Sequence, residues 1–166
     1  MSGLKAIKRR IRSVKSTQQI TRVMKMVAAA KLKRAQNNII RARPYAFRLR
    51  HVIRELSERV DRSMHPLLHI HEPEHVGIIV VPGDRGLAGA FNTNIIRRSA
   101  RVMEEHKGRR VHLVTVGRRG TDFFTRRRAD IQFNLIGLFN KLEFRHAIQL
   151  GNRIIDQFVE HGMDRV

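Results

Sequence analysis

The dominant pattern in this sequence is a heptad repeat of apolar residues between residues 4 and 62. With Leu4 placed at position a, fourteen of the seventeen a and d positions are apolar. The a positions are Leu4, Ile11, Gln18, Lys25, Leu32, Ile39, Ala46, Ile53 and Val60, and the d positions are Ile7, Val14, Thr21, Ala28, Ala35, Ala42, Leu49 and Leu56. This pattern predicts one long helix over residues 1–62 with a coiled-coil seam along one side.

The seam has a polar interruption, because its three polar positions, Gln18, Thr21 and Lys25, follow one another. Further along, Pro44 removes one backbone hydrogen-bond donor and predicts either a kink or a split in the helix. We expect a kink, since the heptad phase continues past Pro44. A stripe this narrow is not stable alone in water. No later stretch carries enough helical pattern to cover it, so the seam is expected to pair with a helix outside this sequence.

The pattern changes after the long helix. Residues 63–75 contain two prolines and four histidines and are predicted to be a linker. Residues 76–166 then alternate between strand and helix patterns. The predicted strands are 76–81, 111–117 and 131–136, and the predicted helices are 91–106, 118–128 and 143–161, with a glycine-rich turn at 82–90. The predicted N-cap of the first of these helices is Asn92, Thr93 or Asn94.

This order predicts the α/β fold class, with a partial, Rossmann-like parallel domain over residues 76–166. Gly162 is interpreted as the stop signal of the last helix. The next element in the alternation is a strand, and only four residues follow Gly162. We therefore expect the α/β domain to be truncated.

Charge adds a second constraint, because the formal net charge is +20 and residues 1–54 contain no Asp or Glu. Such a chain attracts acidic proteins, nucleic acid or anionic lipid. The sequence contains no Cys, which excludes disulfides and thiolate metal sites. No apolar run has the length of a signal-peptide core or of a membrane span.

Two stretches are candidates for chemistry, and both have a plainer interpretation. The loop from Gly83 to Ala90 lies between a strand and a helix, where phosphate-binding loops occur, but it lacks the dinucleotide and P-loop spacings. A tight structural turn is favoured. The linker histidines could suggest a metal site, yet a solvated linker is favoured for His65, His69, His71 and His75.

No catalytic constellation is present, and we expect no catalytic residue, cofactor or metal. The acidic side chains beyond the linker are scattered. The residues interpreted as loop or solvent-facing acids are Asp84, Glu104, Glu105, Asp122 and Glu143.

Two long segments together resemble the gamma subunits of F-type ATP synthases. They are Ile20–Leu32, with the sequence ITRVMKMVAAAKL, and Asp84–Asn94, with the sequence DRGLAGAFNTN. The opening at residues 7–14 and the Arg-Pro-Tyr at residues 43–45 are similar too. The resemblance covers essentially the whole sequence, and the motifs agree in order and spacing.

The resemblance implies a non-catalytic, central-stalk rotor subunit of the F1 sector that couples proton-driven rotation to ATP synthesis at beta-subunit sites. It implies an antiparallel coiled coil between the N-terminal helix and a C-terminal helix that this sequence lacks. The implied partners are the alpha and beta subunits, the epsilon subunit and the c-ring. The implied location is peripheral, on the cytoplasmic side of a bacterial plasma membrane or, alternatively, at an organelle inner membrane.

Within this family the region around Met24 and Lys25 lies near acidic lever loops of the beta subunits. The residues expected to contact the surrounding alpha and beta ring are Gln18, Thr21, Met24, Lys25 and Lys31. The residues expected to build the structural turn are Asp84, Arg85, Gly86, Gly89 and Asn92.

Two other functions are alternatives. A basic coiled coil that binds nucleic acid would keep specific DNA affinity above physiological salt, where simple charge attraction fades. A small nucleotide-binding enzyme would lose its nucleotide affinity on Gly86→Val. Against nucleic acid, Lys25 lies within the seam, whereas a basic-zipper protein places its basic region before the seam.

The uncovered seam predicts that the isolated, monomeric chain is poorly stable. Heating it at low concentration should give a broad transition in circular dichroism at 222 nm, because the long helix has no surface to pack against. A sharp, concentration-independent transition would contradict this expectation.

Overall fold

The computed structural model describes residues 2–68, 72–160 and 163–166. The chain divides into two compact units, residues 1–59 and residues 60–166. The fold class predicted from the sequence is confirmed, since a long N-terminal helix is followed by a parallel sheet with helices.

The first unit is one α-helix, α1, which spans Ser2–Arg59. Pro44 lies inside it, so the helix is not split there. The helix ends at Arg59, three residues before the predicted end at 62. Beyond it, the Asp61 side chain accepts a hydrogen bond from the backbone N–H of Ser63 at 3.0 Å and caps a short 3₁₀ turn, Arg62–Met64. A carboxylate at an N-cap position accepts a hydrogen bond from a backbone N–H of the turn that follows it. Asp61 therefore favours the start of a new turn over the continuation of α1.

The second unit is built on three parallel strands in the order β1, β2, β3. The strands are β1, His75–Val80, β2, Arg110–Val116, and β3, Ile131–Leu135. His75 is aligned with Arg110 in the first pair, and Leu113 with Ile131 in the second. All three predicted strands are present. The first begins one residue early, so His75 belongs to the sheet rather than to the linker.

Three helices connect and cover the strands. They are α2, Phe91–Glu105, α3, Arg118–Arg126, and α4, Phe144–Val159. The main core joins α2 and α3 to one face of the sheet, and its buried residues are Val80, Ile96, Leu113 and Phe124. On the opposite face, the guanidinium of Arg153 in α4 lies 5.7 Å from the centre of the Phe133 ring. No described residue of α4 is buried, and Phe144 and Ile148 of its apolar side are 79% and 48% exposed.

The predicted caps of α2 are wrong. The helix begins at Phe91 after Ala90, and no side chain caps it. Asn92 lies in its first turn, but its side-chain oxygen accepts a hydrogen bond from the N–H of Gly83 at 2.8 Å. A side chain that is needed by the preceding loop cannot also cap the helix. Thr93 and Asn94 lie inside the helix rather than at its start.

The last four residues continue the sheet. The N–H of Gly77 donates to the carbonyl of Arg165 at 2.7 Å, and the N–H of Asp164 donates to the carbonyl of His75 at 3.0 Å. Val76 and Arg165 form a parallel bridge. Because β2 occupies the other edge of β1, this segment lies on the free edge, where the alternation predicted a further strand. Gly162, the predicted helix stop, lies outside the described residues.

Gly117 connects β2 to α3 under a strict geometric constraint. Its φ is +115°, a conformation that L-residues rarely adopt, and an added Cβ would overlap the carbonyl oxygen of Pro82. Gly120 is close to the same proline, since a Cβ there would lie 2.7 Å from the Pro82 ring. The loop after β1 and the start of α3 therefore touch backbone to backbone.

Gly117→Ala is expected to lower the opening free energy of β2 by about 2–4 kcal/mol, from backbone strain plus the overlap with Pro82. Native-state hydrogen exchange of the β2 amides measures it. Gly108→Ala is the matched control, because Gly108 has a φ of +103° but nothing within 4 Å of an added Cβ. Equal losses in the two variants would mean that the contact with Pro82 contributes nothing.

Candidate functional site

The apolar seam of α1 is exposed along its whole length. The exposed fraction is 67% for Leu4, 60% for Leu32 and 55% for Leu56. Lone exposed apolar residues are ordinary, but an apolar stripe of this length, even with one polar interruption, marks a surface for another protein. No described residue of α1 is buried.

The five residues predicted to contact a partner ring all lie on α1 and are all exposed. The hydroxyl of Thr21 donates to the carbonyl of Gln18 at 2.9 Å, so it is already used within the helix. Met24 is 64% exposed. Lys25 and Lys31 are both exposed. They are six residues apart, so they lie on different sides of the helix, roughly 120° from each other. Their contact with a partner stays a prediction.

The charge of α1 is almost unopposed. Its two carboxylates, Glu55 and Glu58, are both near its C-terminal end. Arg54 pairs with Glu58 at 3.2 Å, and both side chains are well exposed. Residues 2–54 contain no carboxylate side chain, so most basic residues of α1 have no acid within one helix turn. This surface therefore favours an acidic partner.

The turn after β1 is organised by the carboxylate of Asp84. Its Oδ1 accepts hydrogen bonds from the N–H of Arg118 at 2.9 Å and from the N–H of Gly137 at 3.0 Å. Arg118 opens α3 directly after β2, and Gly137 follows β3. One side chain in the loop after β1 therefore joins the loops that follow the other two strands. The sequence predicted Asp84 as a loop or solvent-facing acid within the structural turn, and its hydrogen bonds to the loops after β2 and β3 were not predicted.

The environment of Asp84 favours its ionised form. Burial raises the pKa of this carboxyl, but the backbone N–H groups of Gly137, Arg118 and Phe139 and the charge of Arg118 lower it. The net result is a pKa below the ordinary value for Asp. An acceptor that is already ionised binds N–H donors more strongly than a neutral one.

The remaining turn residues hold the loop to its neighbours. The amide nitrogen of Asn92 donates to the carbonyl of Arg85 at 3.0 Å, and a terminal guanidinium nitrogen of Arg85 donates to the side-chain oxygen of Asn140 at 3.1 Å. The guanidinium of Arg119 lies over Gly86, where a Cβ would approach it to 2.5 Å. Gly89 has a φ of +55°.

Beside this turn lies a cleft of about 430 Å³ between α2 and α3, and Arg119, Arg126 and Arg127 are among its lining residues. Two of these cations are already engaged. The Arg126 Nε donates to the carbonyl of Asp122 at 3.0 Å, and the Arg127 guanidinium lies 3.7 Å from the centre of the Phe123 ring. The N–H of Gly83 donates to the side chain of Asn92, and the N–H of Arg118, the first of α3, donates to Asp84. These contacts describe a structural turn and supply no additional argument for phosphate binding.

The linker histidines are only partly described. The Nδ1 of His65 accepts from the N–H of Leu67 at 3.2 Å, which is a local turn contact. His69 and His71 lie outside the described residues. Across residues 2–68, 72–160 and 163–166, no three His, Cys, Asp or Glu side chains are grouped so as to hold a metal ion.

None of the helices in the described ranges is both long enough and apolar enough to span a bilayer.

The similarity to known proteins covers almost the whole chain. Residues 3–166 match the ATP synthase protein family. The ATP synthase gamma chain of Heliobacterium modesticaldum is 46% identical over 167 residues, which cover 100% of this chain and 57% of that relative. The gamma chain of Chloroherpeton thalassium is 42% identical over 172 residues, again covering 57% of the relative. The chain therefore spans somewhat more than half the length of these relatives.

The fold is also found in a solved structure. The central stalk and c-ring structure of the Tetrahymena thermophila mitochondrial ATP synthase contains a chain that matches with a TM-score of 0.66. The match covers 83% of this chain and 59% of that chain, at 22% sequence identity. At this identity the likeness concerns the fold alone.

A long helix with an exposed apolar seam, followed by a small parallel α/β unit, defines a subunit of a larger assembly rather than a self-contained globular protein. Within that class, the family is clear. The chain belongs to the ATP synthase gamma-chain family. The resemblance inferred from the sequence motifs is confirmed, and none of the relatives named here supports the nucleic-acid alternative.

Asp84→Asn is expected to lower the opening free energy of the second unit by about 1–2 kcal/mol at pH 7, because a neutral amide replaces a charged acceptor. Since the folded pKa of Asp84 is lower than the unfolded one, its stabilisation is complete above about pH 4. It is lost as the pH falls through the folded pKa, so the difference between the two proteins should shrink below pH 4.

Hydrogen exchange of the β2 amides at pH 7, and urea-induced loss of circular dichroism at pH 7 and pH 3, measure this difference. Asp122→Asn is the control, because Asp122 lies in the adjacent helix α3 and its carboxylate makes no hydrogen bond to the loops after β2 and β3 among the described residues. The role of Asp84 would be refuted if both variants behaved alike at pH 7.

Proposed function

We propose that this chain acts as the central-stalk rotor subunit of the F1 sector of a proton-translocating ATP synthase. In this role it couples proton-driven rotation to ATP synthesis at sites on the beta subunits and carries no catalytic residue itself. The observation that carries the proposal is the family match over residues 3–166. The exposed seam and the charge of α1 support it independently.

The first part of the proposal concerns α1 as one strand of a shaft. Its apolar seam fits a second long helix, which in this family is supplied by the C-terminal part of the subunit. Ala28, Ala35 and Ala42 occupy three successive d positions and would let the two helices approach closely. Covering the seam would remove from water a row of side chains that are each about half exposed, such as Ile11 at 51% and Leu56 at 55%.

The second part concerns the polar interruption of the seam. Gln18, Thr21 and Lys25 break the apolar stripe within two turns, and Met24 and Lys31 lie beside this interruption. A lysine at an a position weakens an ordinary coiled coil. It becomes useful where the helix passes through a ring that presents carboxylates, because the attraction then varies as the helix turns. We propose that this region contacts the alpha and beta subunits.

The third part concerns the foot of the stalk. The α/β unit, residues 60–166, would contact the epsilon subunit and the c-ring. The chain would then be a peripheral component on the cytoplasmic side of a bacterial plasma membrane or, as the alternative, at an organelle inner membrane. The net charge of +20 supports acidic protein partners in either place.

The proposal is tested by co-expressing this chain with the alpha and beta subunits of the same organism and purifying through a tag on the chain. We expect alpha and beta to be retained. Lys25→Glu should reduce the amount retained at 0.15 M salt by about tenfold, because a reversed charge faces carboxylates at close range. Lys33→Glu is the matched control, since Lys33 carries the same charge one position beyond seam residue Leu32.

Two outcomes would count against the proposal. Failure of the unmodified chain to retain either subunit would refute the rotor assignment. Equal loss of retention in both variants would refute the specific contact at Lys25, because it would leave only the general positive charge of the helix. Retained DNA in place of ATPase subunits would favour the alternative of a nucleic-acid-binding coiled coil.

A further inference from the structure

The side of α1 that faces away from the seam changes character between residues 9 and 41. In the heptad frame of the seam, positions c, f and g lie roughly 120–160° around the helix from the a positions. These outer positions are polar from Arg9 to Thr17 and polar again from Lys31 to Arg41. Between these two polar stretches every outer position is apolar. We call these residues the outer stripe, and they are Ile20, Val23, Met24, Val27 and Ala30.

The outer stripe forms one face of the helix. Its first four residues follow the spacing i, i+3, i+4, i+7, which places side chains on the same side of an α-helix. Helix α1 is unbroken through this stretch. The exposed fraction is 57% for Ile20, 53% for Val23 and 49% for Val27. The stripe therefore presents an apolar surface about 15 Å long to its surroundings.

The outer stripe lies in the same helical turns as the polar interruption of the seam. The a and d positions there are Gln18, Thr21 and Lys25, and Arg22 occupies position e beside them. The charges of residues 20–30 are therefore both on the side of the seam. Over these turns the two sides of α1 exchange character, because the seam becomes polar where the outer side becomes apolar.

A helix packed on the seam would leave the outer stripe uncovered. Such a helix contacts positions a and d and is flanked by positions e and g. Ile20 and Val27 occupy position c, and Val23 and Ala30 occupy position f. These four residues lie outside the contact with a seam helix, so a different surface is needed to remove them from water.

The chemistry of the stripe indicates what that surface is. No outer position between residues 20 and 30 carries a charge, whereas Arg10 before the stripe and Lys31 and Arg34 after it do. A carboxylate that was buried against the stripe would lose its hydration without gaining a partner. An apolar, uncharged surface fits instead. A helix stretch that is apolar outside and pairs with another helix on its other side is typically enclosed by protein.

We propose that the outer stripe is an apolar docking surface for the alpha and beta subunits that surround α1. This inference rests on the proposed rotor function and adds a contact to it. The contact differs in kind from that of Lys25, because it faces apolar side chains and does not depend on charge. Residues 20–30 are then enclosed, with the ring touching α1 through a charge on one side and through the outer stripe on the other.

The stripe is tested in the co-expression experiment with the alpha and beta subunits, with retention measured relative to the unmodified chain at each salt concentration. Val23→Lys places a charge in the apolar contact without lowering helix propensity. We expect about tenfold less retention at about 0.15 M and at about 1 M salt, because salt does not remove the cost of burying a lysine. The effect of Lys25→Glu should shrink at about 1 M salt, where the Debye length is about 3 Å.

Asn37→Lys is the matched control, because Asn37 occupies the same heptad position as Val23 but lies two heptads further along, outside the stripe. It should change retention by less than about twofold. Val27→Lys, one turn after Val23, should reproduce the loss. Far-UV circular dichroism checks that the variants keep the helix content of the unmodified chain, as expected for residues that pack on nothing within it.

The outcomes separate this contact from the rotor function itself. If the unmodified chain retains neither subunit, the rotor function is refuted. If it retains them and Val23→Lys behaves like Asn37→Lys, the outer stripe alone is refuted. Greater retention of Val23→Lys would show that the facing surface is acidic and would also overturn the proposal. Sedimentation of the isolated chain tests a second copy as the occupant, and a dimer that Val23→Lys dissociates would overturn it too.

Discussion

An α-helix cannot bury its own apolar side chains, and α1 is 58 residues long with an apolar seam along much of that length. Every other property of the first unit depends on this constraint. The helix has almost no carboxylates, so most of its positive charge is not balanced within the helix. A second surface is therefore needed both for apolar contact and for charge. The proposed role as one helix of a shaft inside other subunits would supply this second surface.

The second unit meets a different constraint, which is to keep three parallel strands in one register. A carboxylate connects neighbouring strands at each end of the sheet, but the groups that it contacts differ. At the carboxyl edge, Asp84 accepts from backbone N–H groups after β2 and β3, which have no titratable proton in the relevant range. At the amino edge, Asp130 acts through two imidazoles. The carboxyl ends of the strands are therefore joined through backbone N–H groups, whereas the amino ends are joined through side chains.

Packing is uneven between the two faces of this sheet. The face under α2 and α3 has a closed core in which Leu113 is 0% and Phe124 2% exposed. A buried pair of hydroxyls, Thr115 and Thr121, is satisfied there by a mutual hydrogen bond at 2.8 Å. On the other face, α4 buries none of its described residues, and Ile155 of its apolar side is 43% exposed. The α/β unit thus has one complete layer and one that leaves apolar surface in water, as α1 does.

The sequence by itself determined the elements and their order, because hydrophobic periodicity is a local property that each segment carries independently of the rest. The long helix, the three strands and the three later helices all follow from it, with errors of a few residues at the ends. Its motifs also determined the family. The tertiary structure alone decided which polar side chains meet, because those contacts join residues far apart in the chain. The partners of Asp84 lie 34 and 53 residues away, and Asn92 serves the loop before α2 instead of capping that helix. Likewise, only the alignment of three parallel strands brings His75, His112 and Asp130 together, since nothing in the local pattern around any one of them specifies the other two.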